Sequence, residues 1–424
     1  MGLLVGVFLV LILLNVPIAF ALAVAPSVFL ILNPGIPLEM ITQQMFTGLD
    51  IFAYLAVPFF ILSGNLMVTG GISRRLVDFS AALLERCVGG LAMAVAFASM
   101  IFASISGSGP ATVAAIGGAT LPSLVEKGYG RNWSVALMSV AGVIGPIIPP
   151  SITMVIYGAM TGTSIGSLFI GGLVPGVMIG VGLMIISYFH AKKVGLQASS
   201  KLNFRNIKRT FVDAFWALGM PIVILGGILG GIFTPTEAAV VSDVYALVVC
   251  FFIYKSLKLK DLPKIFLDTA ITTAVVMIIL ANAAGFAWIM SAEQGPAKII
   301  ELLYSISDNK YVLMLMINII LLIIGCFIDT SSALVMVVPA LMPLAMKMGI
   351  DPLHFGLIIC INLVMGMTTP PLGITLFTAC SVGKVTISQV AKPMLPMLGV
   401  LVVVILIVTY CPSLVLFLPK LLMN

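Results

Sequence analysis

Charge is scarce in this chain. Asp, Glu, Lys and Arg make up 8% of its 424 residues, against about 25% in a typical soluble domain, and no Lys or Arg precedes Arg74. That scarcity excludes a soluble globular domain. With 61% hydrophobic residues and a mean hydropathy of +1.23, the composition specifies an all-α polytopic protein embedded in a lipid bilayer. The net charge of +6 does not indicate a nucleic acid partner, because the basic residues sit in short loops between apolar spans and no face interleaves them with aromatics. Histidine is nearly absent. His190 and His354 both fall at the edges of apolar spans, so a nucleophilic Ser106 or Ser108 would have no base within reach. No H-E-x-x-H, no G-x-x-x-x-G-K-[ST] and no Cys/His metal spacing occurs, which leaves enzyme chemistry, ATP drive and zinc without a motif. The six cysteines, Cys87, Cys250, Cys326, Cys360, Cys380 and Cys411, stand singly in or beside apolar stretches and are expected as buried apolar filling. The chain begins apolar without a basic n-region, so residues 2–33 are expected to be mature membrane sequence rather than a signal peptide.

What is present is a duplication. Ser106-Gly107-Ser108-Gly109-Pro110, followed by Gly145-Pro146-Ile147-Ile148-Pro149-Pro150, recurs in altered form as Asp329-Thr330-Ser331-Ser332, followed by Gly366-Met367-Thr368-Thr369-Pro370-Pro371. A shift of 221 residues superposes Pro122 on Pro343, Gly128 on Gly349, Gly145 on Gly366, the two Pro-Pro pairs on each other and Gly162 on Gly383, without a gap. Each copy places small polar residues and helix breakers inside apolar sequence, where irregular backbone is tolerated only if it lines a protein cavity.

Topology follows from charge. Residues 191–209 hold Lys192, Lys193, Lys201, Arg205, Lys208 and Arg209, and residues 255–264 hold Lys255, Lys258, Lys260 and Lys264, so both loops are expected in the cytoplasm. Helices at 211–232 and 237–254, joined by Thr234-Pro235-Thr236, go out and return between them. Working backward, 168–190 and 133–160 cross, 52–72 descends to Arg74 and Arg75, and 2–33 forms two short spans turning near Asn15-Val16-Pro17. The N-terminus is then periplasmic. Between Arg86 and Arg131, apolar segments of roughly 17 and 14 residues flank the Ser-Gly-Ser-Gly tip, each short of the ~20 a crossing needs, and predict a re-entrant hairpin. Residues 311–328 and 333–348 repeat the design from the opposite face. The expected architecture is a pair of inverted repeats, with about eleven transmembrane helices plus two hairpins. Amphipathic segments at 76–87 and 296–308 predict interfacial arm helices. The expected divisions are 1–72, 73–167, 168–265, 266–389 and 390–424. Hairpins and broken helices form a mobile part, and 2–33, 168–190, 211–254 and 390–418 a static scaffold.

The repeated unit suggests chemistry. Proline and tip breaks free backbone carbonyls that an intact helix would consume. Together with hydroxyls they make an oxygen cage for a hard monovalent cation such as Na⁺. The first unit offers Ser104, Ser106 and Ser108 with carbonyls near Gly145 and Ile148, and the second adds the carboxylate of Asp329 beside Thr330, Ser331, Thr368 and Thr369. The half-helices starting near Gly109 and Ser332 aim positive dipole ends at the same depth, which favours an anionic substrate. A cation-coupled organic-anion carrier follows, with a passive channel as the alternative. Close helix packing competes as an explanation of the small residues, and a structural hydrogen bond competes as the role of Asp329. Asp243 and Glu237 are expected to be structural, Glu237 as a helix-capping residue near the outer turn, and Lys384 a cytoplasmic anchor. Gly226 with Gly230, and Gly227 with Gly231, read as helix-packing pairs.

Gly230-Gly231-Ile232-Phe233-Thr234-Pro235-Thr236-Glu237-Ala238-Ala239, Ser106 to Thr112 and Gly366 to Pro371 resemble the large membrane (M) subunit of tripartite ATP-independent periplasmic (TRAP) transporters, and the likeness spans essentially the whole chain. The resemblance implies an elevator-type secondary transporter of the bacterial inner membrane, driven by Na⁺. It also implies two partners: a separate four-helix small membrane subunit (Q) and a periplasmic substrate-binding protein (P). Carried onto matching positions, the first sodium site would use Ser104, Ser106, Ser108 and Gly109 with Gly145, Ile148 and Pro149. The second would use Gly325, Asp329 and Thr330 with Met367, Thr368 and Thr369. The substrate would lie between the tips, near Ser108, Thr112, Ser331, Ser332 and Thr375. The family handles sialic acids, C4-dicarboxylates and other organic acids, and the chain resembles the sialic acid subtype. No arginine falls in the expected midplane, so dipoles, hydroxyls and sodium would have to neutralise the anion.

Overall fold

A computed structural model describes residues 2–14, 16–33, 35–198 and 203–423, and among them every regular element is helical. Asn15 of the expected first turn and Lys201 of the basic loop lie outside the described residues. Eight described helices are long and apolar enough to cross a membrane, two of them the arms of the second hairpin. Shorter apolar helices include the pair Gly2–Leu13 and Ile18–Leu32 and, from the broken helices, Ile152–Thr161, Pro352–Gly366 and Ile374–Gly383.

The repeat is explicit in the helix order. In the first copy an arm helix, Ile72–Leu84, leads into the hairpin helix Gly90–Ser106. After a two-residue tip the chain returns as Gly109–Thr112 and Gly118–Glu126, joined by a π-helical turn at Val113–Gly117. The broken helix follows as Arg131–Gly142 and Ile152–Thr161. The second copy runs Gly295–Ile306, Lys310–Phe327, Thr330–Lys347, then Pro352–Gly366 and Ile374–Gly383. Both tips reverse direction in a few residues for local reasons. Gly107 takes φ +58, a left-handed turn that costs a residue without Cβ little, whereas Asp329 ends the second tip by capping the next helix. Both Pro-Pro peptides, Pro149-Pro150 and Pro370-Pro371, are cis.

The broken helices lie antiparallel. At one end the Arg131 guanidinium donates to the Gly383 carbonyl at 3.1 Å, and at the other the Tyr157 hydroxyl donates to the Pro352 carbonyl at 2.8 Å. The start of each half therefore meets the end of the other, as inverted repeats require.

Several expectations change. The helix Glu39–Leu49 was not foreseen from the sequence; its Ile41 is buried, and Gly48 meets Ala284 of the long helix Leu262–Ala292. The single helix expected over 390–418 is two, Ile387–Tyr410 and Pro412–Leu422, because Pro412 has no N–H to continue the ladder. Cys87 and Cys411 are exposed rather than buried filling, while the other four cysteines are buried. The glycines near 226–231 do not form the expected packing pairs. A Cβ on Gly226 would meet nothing within 4 Å, whereas Gly227 makes room for the ring of Phe233. Ile232 N–H returns to the Gly227 carbonyl at 2.9 Å and Gly231 N–H to Ile228 at 3.1 Å, with Gly231 at φ +66. This is a Schellman termination, so the glycines end a helix.

Candidate functional site

Each hairpin tip is docked into the break of its own unit through glycine. A Cβ on Gly107 would fall 2.6 Å from the Pro150 carbonyl oxygen, and one on Gly145 would fall 2.6 Å from the Ser108 carbonyl oxygen and 2.7 Å from Thr112 Oγ1. In the second unit Gly366 lies backbone to backbone on Gly325, and a Cβ on Gly325 would fall 2.8 Å from the Leu363 carbonyl oxygen. The first tip also reaches across the repeat boundary, since a Cβ on Gly109 would fall 2.7 Å from Thr375 Cγ2 and 3.5 Å from Met367 Cε. Both tips and both breaks thus share one region.

In the first tip the hydroxyl protons of Ser104, Ser106 and Thr112 are used internally. Ser104 Oγ donates to the Ile101 carbonyl at 2.6 Å, and Thr112 Oγ1 donates to the Ser108 carbonyl at 2.8 Å. With the Thr112 proton committed, the 3.2 Å contact between Ser106 Oγ and Thr112 Oγ1 has Ser106 as donor. Ser106 Oγ accepts from Ser108 N–H at 3.4 Å, and Ser108 Oγ caps the returning helix by accepting from Ala111 N–H at 3.4 Å. Facing them, among the described residues, the carbonyls of Gly145, Ile148 and Pro149 receive no backbone hydrogen bond. Oxygen lone pairs without matching donors suit a cation better than an anion.

The second tip is built differently. Asp329 Oδ2 accepts from Ser331 N–H at 3.0 Å and from Ser332 N–H at 3.4 Å. Thr330 Oγ1 and Ser332 Oγ are buried, with no hydrogen-bond partner. Thr330 is 3% exposed and Ser332 is 1% exposed, so these hydroxyls are withdrawn from water and unpaired within the chain. In the facing break the carbonyls of Thr368 and Thr369 receive no backbone hydrogen bond. The Met367 carbonyl is already occupied, by Thr375 N–H at 2.9 Å and Thr375 Oγ1 at 2.7 Å. Thr369 Oγ1 donates to the Met365 carbonyl at 3.0 Å. Thr368 Oγ1 lies 2.6 Å from Ser139 Oγ of the first broken helix, a bond between repeats that the sequence reading missed.

Other singled-out residues lie elsewhere. Thr234 Oγ1 accepts from Glu237 N–H at 3.3 Å while Glu237 Oε2 accepts from Thr234 N–H at 2.8 Å, the capping box expected of that carboxylate. Asp243 is buried in the helix Pro235–Val248, and its Oδ1 has no partner. His190 stacks on Trp133, with ring centroids 3.9 Å apart, and pairs through Nε2 with the Tyr129 carbonyl at 3.1 Å. A cleft of about 810 Å³ lies away from the tips, where Arg75 and Asp78 of the first arm helix and Glu85 just after it face Arg209 and Asp213. Arg75 is held there over the Tyr254 ring, 4.0 Å from its centroid.

Comparison with known proteins places the chain in a family. The isethionate TRAP transporter permease protein DctMQ of Oleidesulfovibrio alaskensis is 41% identical over 97% of this chain, which spans 65% of that protein's length, less than two thirds of it. The C4-dicarboxylate TRAP transporter large permease protein DctM of Pseudomonas aeruginosa is 40% identical over 89% of this chain and 88% of its own. The sialic acid TRAP transporter large permease protein SiaM of Vibrio cholerae is 38% identical over 96% and 95%. Among solved structures, the Alcanivorax borkumensis YdaH transporter covers 88% of each chain with a TM-score of 0.61 at 16% identity, a likeness of fold. The model of the tripartite ATP-independent periplasmic transporter DctM component matches residues 5–414, and this chain, a multi-pass membrane protein, belongs to that family.

Proposed function

We propose that this chain is the transport subunit of a sodium-coupled importer of an organic acid anion. The observation that carries the proposal is the duplicated docking of a hairpin tip into a helix break, Gly107 against Pro150 and Gly325 against Gly366, with unsatisfied oxygens at each. Na⁺ is cargo in this reading. The first ion would be held by the oxygens of Ser104 to Gly109 and of Gly145 to Pro149. The second would be held by those of Gly325, Asp329, Thr330, Thr368 and Thr369, where the buried Thr330 Oγ1 has no partner within the chain. The half-helix starts after each tip and the Ser332 hydroxyl then face the anion.

Movement follows an elevator. The helices Ile165–Val194 and Ile387–Tyr410, expected in the scaffold, are keyed into the moving part. Met100 fills the notch at Gly180, Ile148 fills that at Gly176, and His354 Nε2 pairs with the Val408 carbonyl at 2.8 Å. On these contacts we place both helices with the hairpins and leave Phe204–Leu229, Pro235–Val248 and Leu262–Ala292 static. The lysine- and arginine-rich loops favour a periplasmic N-terminus. The partners are a small membrane subunit and a periplasmic binding protein that delivers the substrate.

Relatives named for sialic acid, C4-dicarboxylate and isethionate match at 38% to 41% identity, so identity does not choose among them. Sialic acid is the substrate to test first. The experiment is uptake into proteoliposomes holding this chain and its small partner, with loaded binding protein outside, under an inward Na⁺ gradient and then under K⁺. Concentrative uptake only in Na⁺ is expected. Equal, non-concentrative flux in both salts would replace the carrier with a channel.

A further inference from the structure

A buried polar cluster sits apart from the tips, in the second unit alone. Asn362 Nδ2 donates to the Asn318 carbonyl at 3.0 Å and to Asn318 Oδ1 at 2.8 Å, and Asn318 Nδ2 donates to Thr409 Oγ1 at 2.9 Å. The backbone carbonyl of Asn318 can only accept, which fixes the orientation of the Asn362 amide. Its Oδ1 is therefore left over, buried and without a partner. Asn362 is 1% exposed and Asn318 is 5% exposed, so water outside the protein does not satisfy this oxygen.

The fold does not require these residues. Under the 221-residue shift, Asn318 corresponds to Phe97 and Asn362 to Ala141, and the first unit builds the same hairpin and broken helix without a polar pair. A buried acceptor without a donor is a liability at membrane depth. Its position explains what it gains. Asn362 lies about 6 Å, one helical turn, before Gly366, and Asn318 lies about 10 Å, two turns, before Gly325. On the other side Thr409 lines a cavity of about 280 Å³ with Lys310, Asp351, His354 and Tyr410. That cavity lies at the base of the second hairpin, on the face that the charge-derived topology assigns to the periplasm. Within the cluster three of the four amide protons are spent on neighbours, and the polar atom left without a partner is an oxygen, Asn362 Oδ1.

We infer that Asn318 and Asn362 form an entry position for the coupling cation, a monovalent ion keeping part of its hydration shell, between the periplasmic cavity and the second break. The assignment rests on the sodium-coupled reading above. Asymmetry between the repeats fits it, since only the periplasm-facing unit meets the ion at its high concentration. The cluster sets the rate of capture. The cation's final affinity belongs to the oxygens at Gly325, Thr330 and Thr368.

The test uses the complex of this chain and its small membrane subunit. In proteoliposome uptake with loaded binding protein, Asn362→Leu and Asn318→Leu are expected to raise the half-saturating external Na⁺ about tenfold while keeping the maximal rate. Asn362→Asp, isosteric and charged, is expected to lower it, which keeps the test decisive if a leucine variant fails to assemble. The Na⁺ midpoint for thermal stabilisation of the detergent-solubilised complex is expected to stay within about twofold of wild type in all three, because a route changes rates and not the equilibrium at its destination. Unchanged external Na⁺ dependence in the variants that assemble would overturn the entry position. A thermal midpoint that moves as far as the uptake midpoint would also overturn it, in favour of damage to the cation site itself. Wild-type uptake that ignores Na⁺ would remove the coupling reading, and the entry position with it.

Discussion

Ser108 and Asp329 cap the same helix in two copies. Ser108 Oγ accepts from Ala111 N–H and Asp329 Oδ2 accepts from Ser332 N–H, both at 3.4 Å, and acceptor and donor are each displaced by 221 residues. The copies differ at the residue between. Pro110 has no N–H to offer, whereas its counterpart Ser331 donates to Asp329 Oδ2 at 3.0 Å. A hydroxyl therefore suffices where one bond is available, and the second tip carries two bonds to a carboxyl group.

Capping and charge can be separated. Asp329→Ser keeps an acceptor at the cap, so the complex is expected to assemble with stability within about 1 kcal/mol of wild type. Uptake at limiting Na⁺ is expected to fall at least about tenfold, because the second tip loses its only carboxylate. Wild-type uptake by this variant, measured beside its melting temperature, would leave Asp329 a cap and nothing more.

The duplication was legible because backbone requirements leave marks in sequence: Gly145 and Gly366 mark a close approach, and the Pro-Pro pairs mark the breaks. Glu39–Leu49 was not legible because Thr42, Gln43 and Gln44 interrupt any apolar run. Gly226 to Gly231 misled because small-residue spacing looks alike whether it serves packing or a Schellman turn, and only the position of Phe233 decides. The contacts of Ser139 with Thr368 and of Asn318 with Asn362 join residues whose pairing depends on how helices cross. Two asparagines in apolar runs, matched by Phe97 and Ala141 in the other copy, were the available signal for the latter.

Glycine at the breaks is expected to be irreplaceable. A methyl group at Gly145 would sit 2.6 Å from the Ser108 carbonyl oxygen, and at Gly366 it would enter the Gly325 backbone. Neither neighbour is a side chain able to turn away. Alanine at either position is expected to destabilise by about 1–3 kcal/mol and to abolish coupled uptake. Gly226→Ala, in open space within a helix, is the control and is expected to be neutral or to stabilise by up to about 1 kcal/mol. Normal uptake by Gly366→Ala, assayed by Na⁺-driven flux, would mean that the tip does not dock as described.

The outer turn at Thr234 to Glu237 is expected to be structural. Thr234→Ala removes the acceptor for Glu237 N–H and should cost about 1 kcal/mol, visible as a lower melting temperature. Glu237→Gln preserves an acceptor for Thr234 N–H and should leave both melting temperature and uptake unchanged. A selective loss of transport in Glu237→Gln, with melting intact, would assign that carboxylate a role beyond the cap.

The bond between Ser139 and Thr368 ties the first broken helix to the second break, and a double-mutant cycle can divide its structural part from its functional part. Both hydroxyls are fully buried, and their oxygens are 2.6 Å apart. Thr368→Val leaves Ser139 without its partner, which is expected to cost about 1–3 kcal/mol. Ser139→Ala combined with Thr368→Val removes both polar groups and should recover most of that loss, giving a favourable coupling energy. Uptake should follow a different rule. Because Thr368 stands in the break that faces Thr330 and Asp329, the double variant is expected to regain stability while its Na⁺-driven uptake stays low. If uptake returns together with stability, the Thr368 hydroxyl serves packing between the repeats, and the cation cage must be built from backbone carbonyls and Thr330 without it.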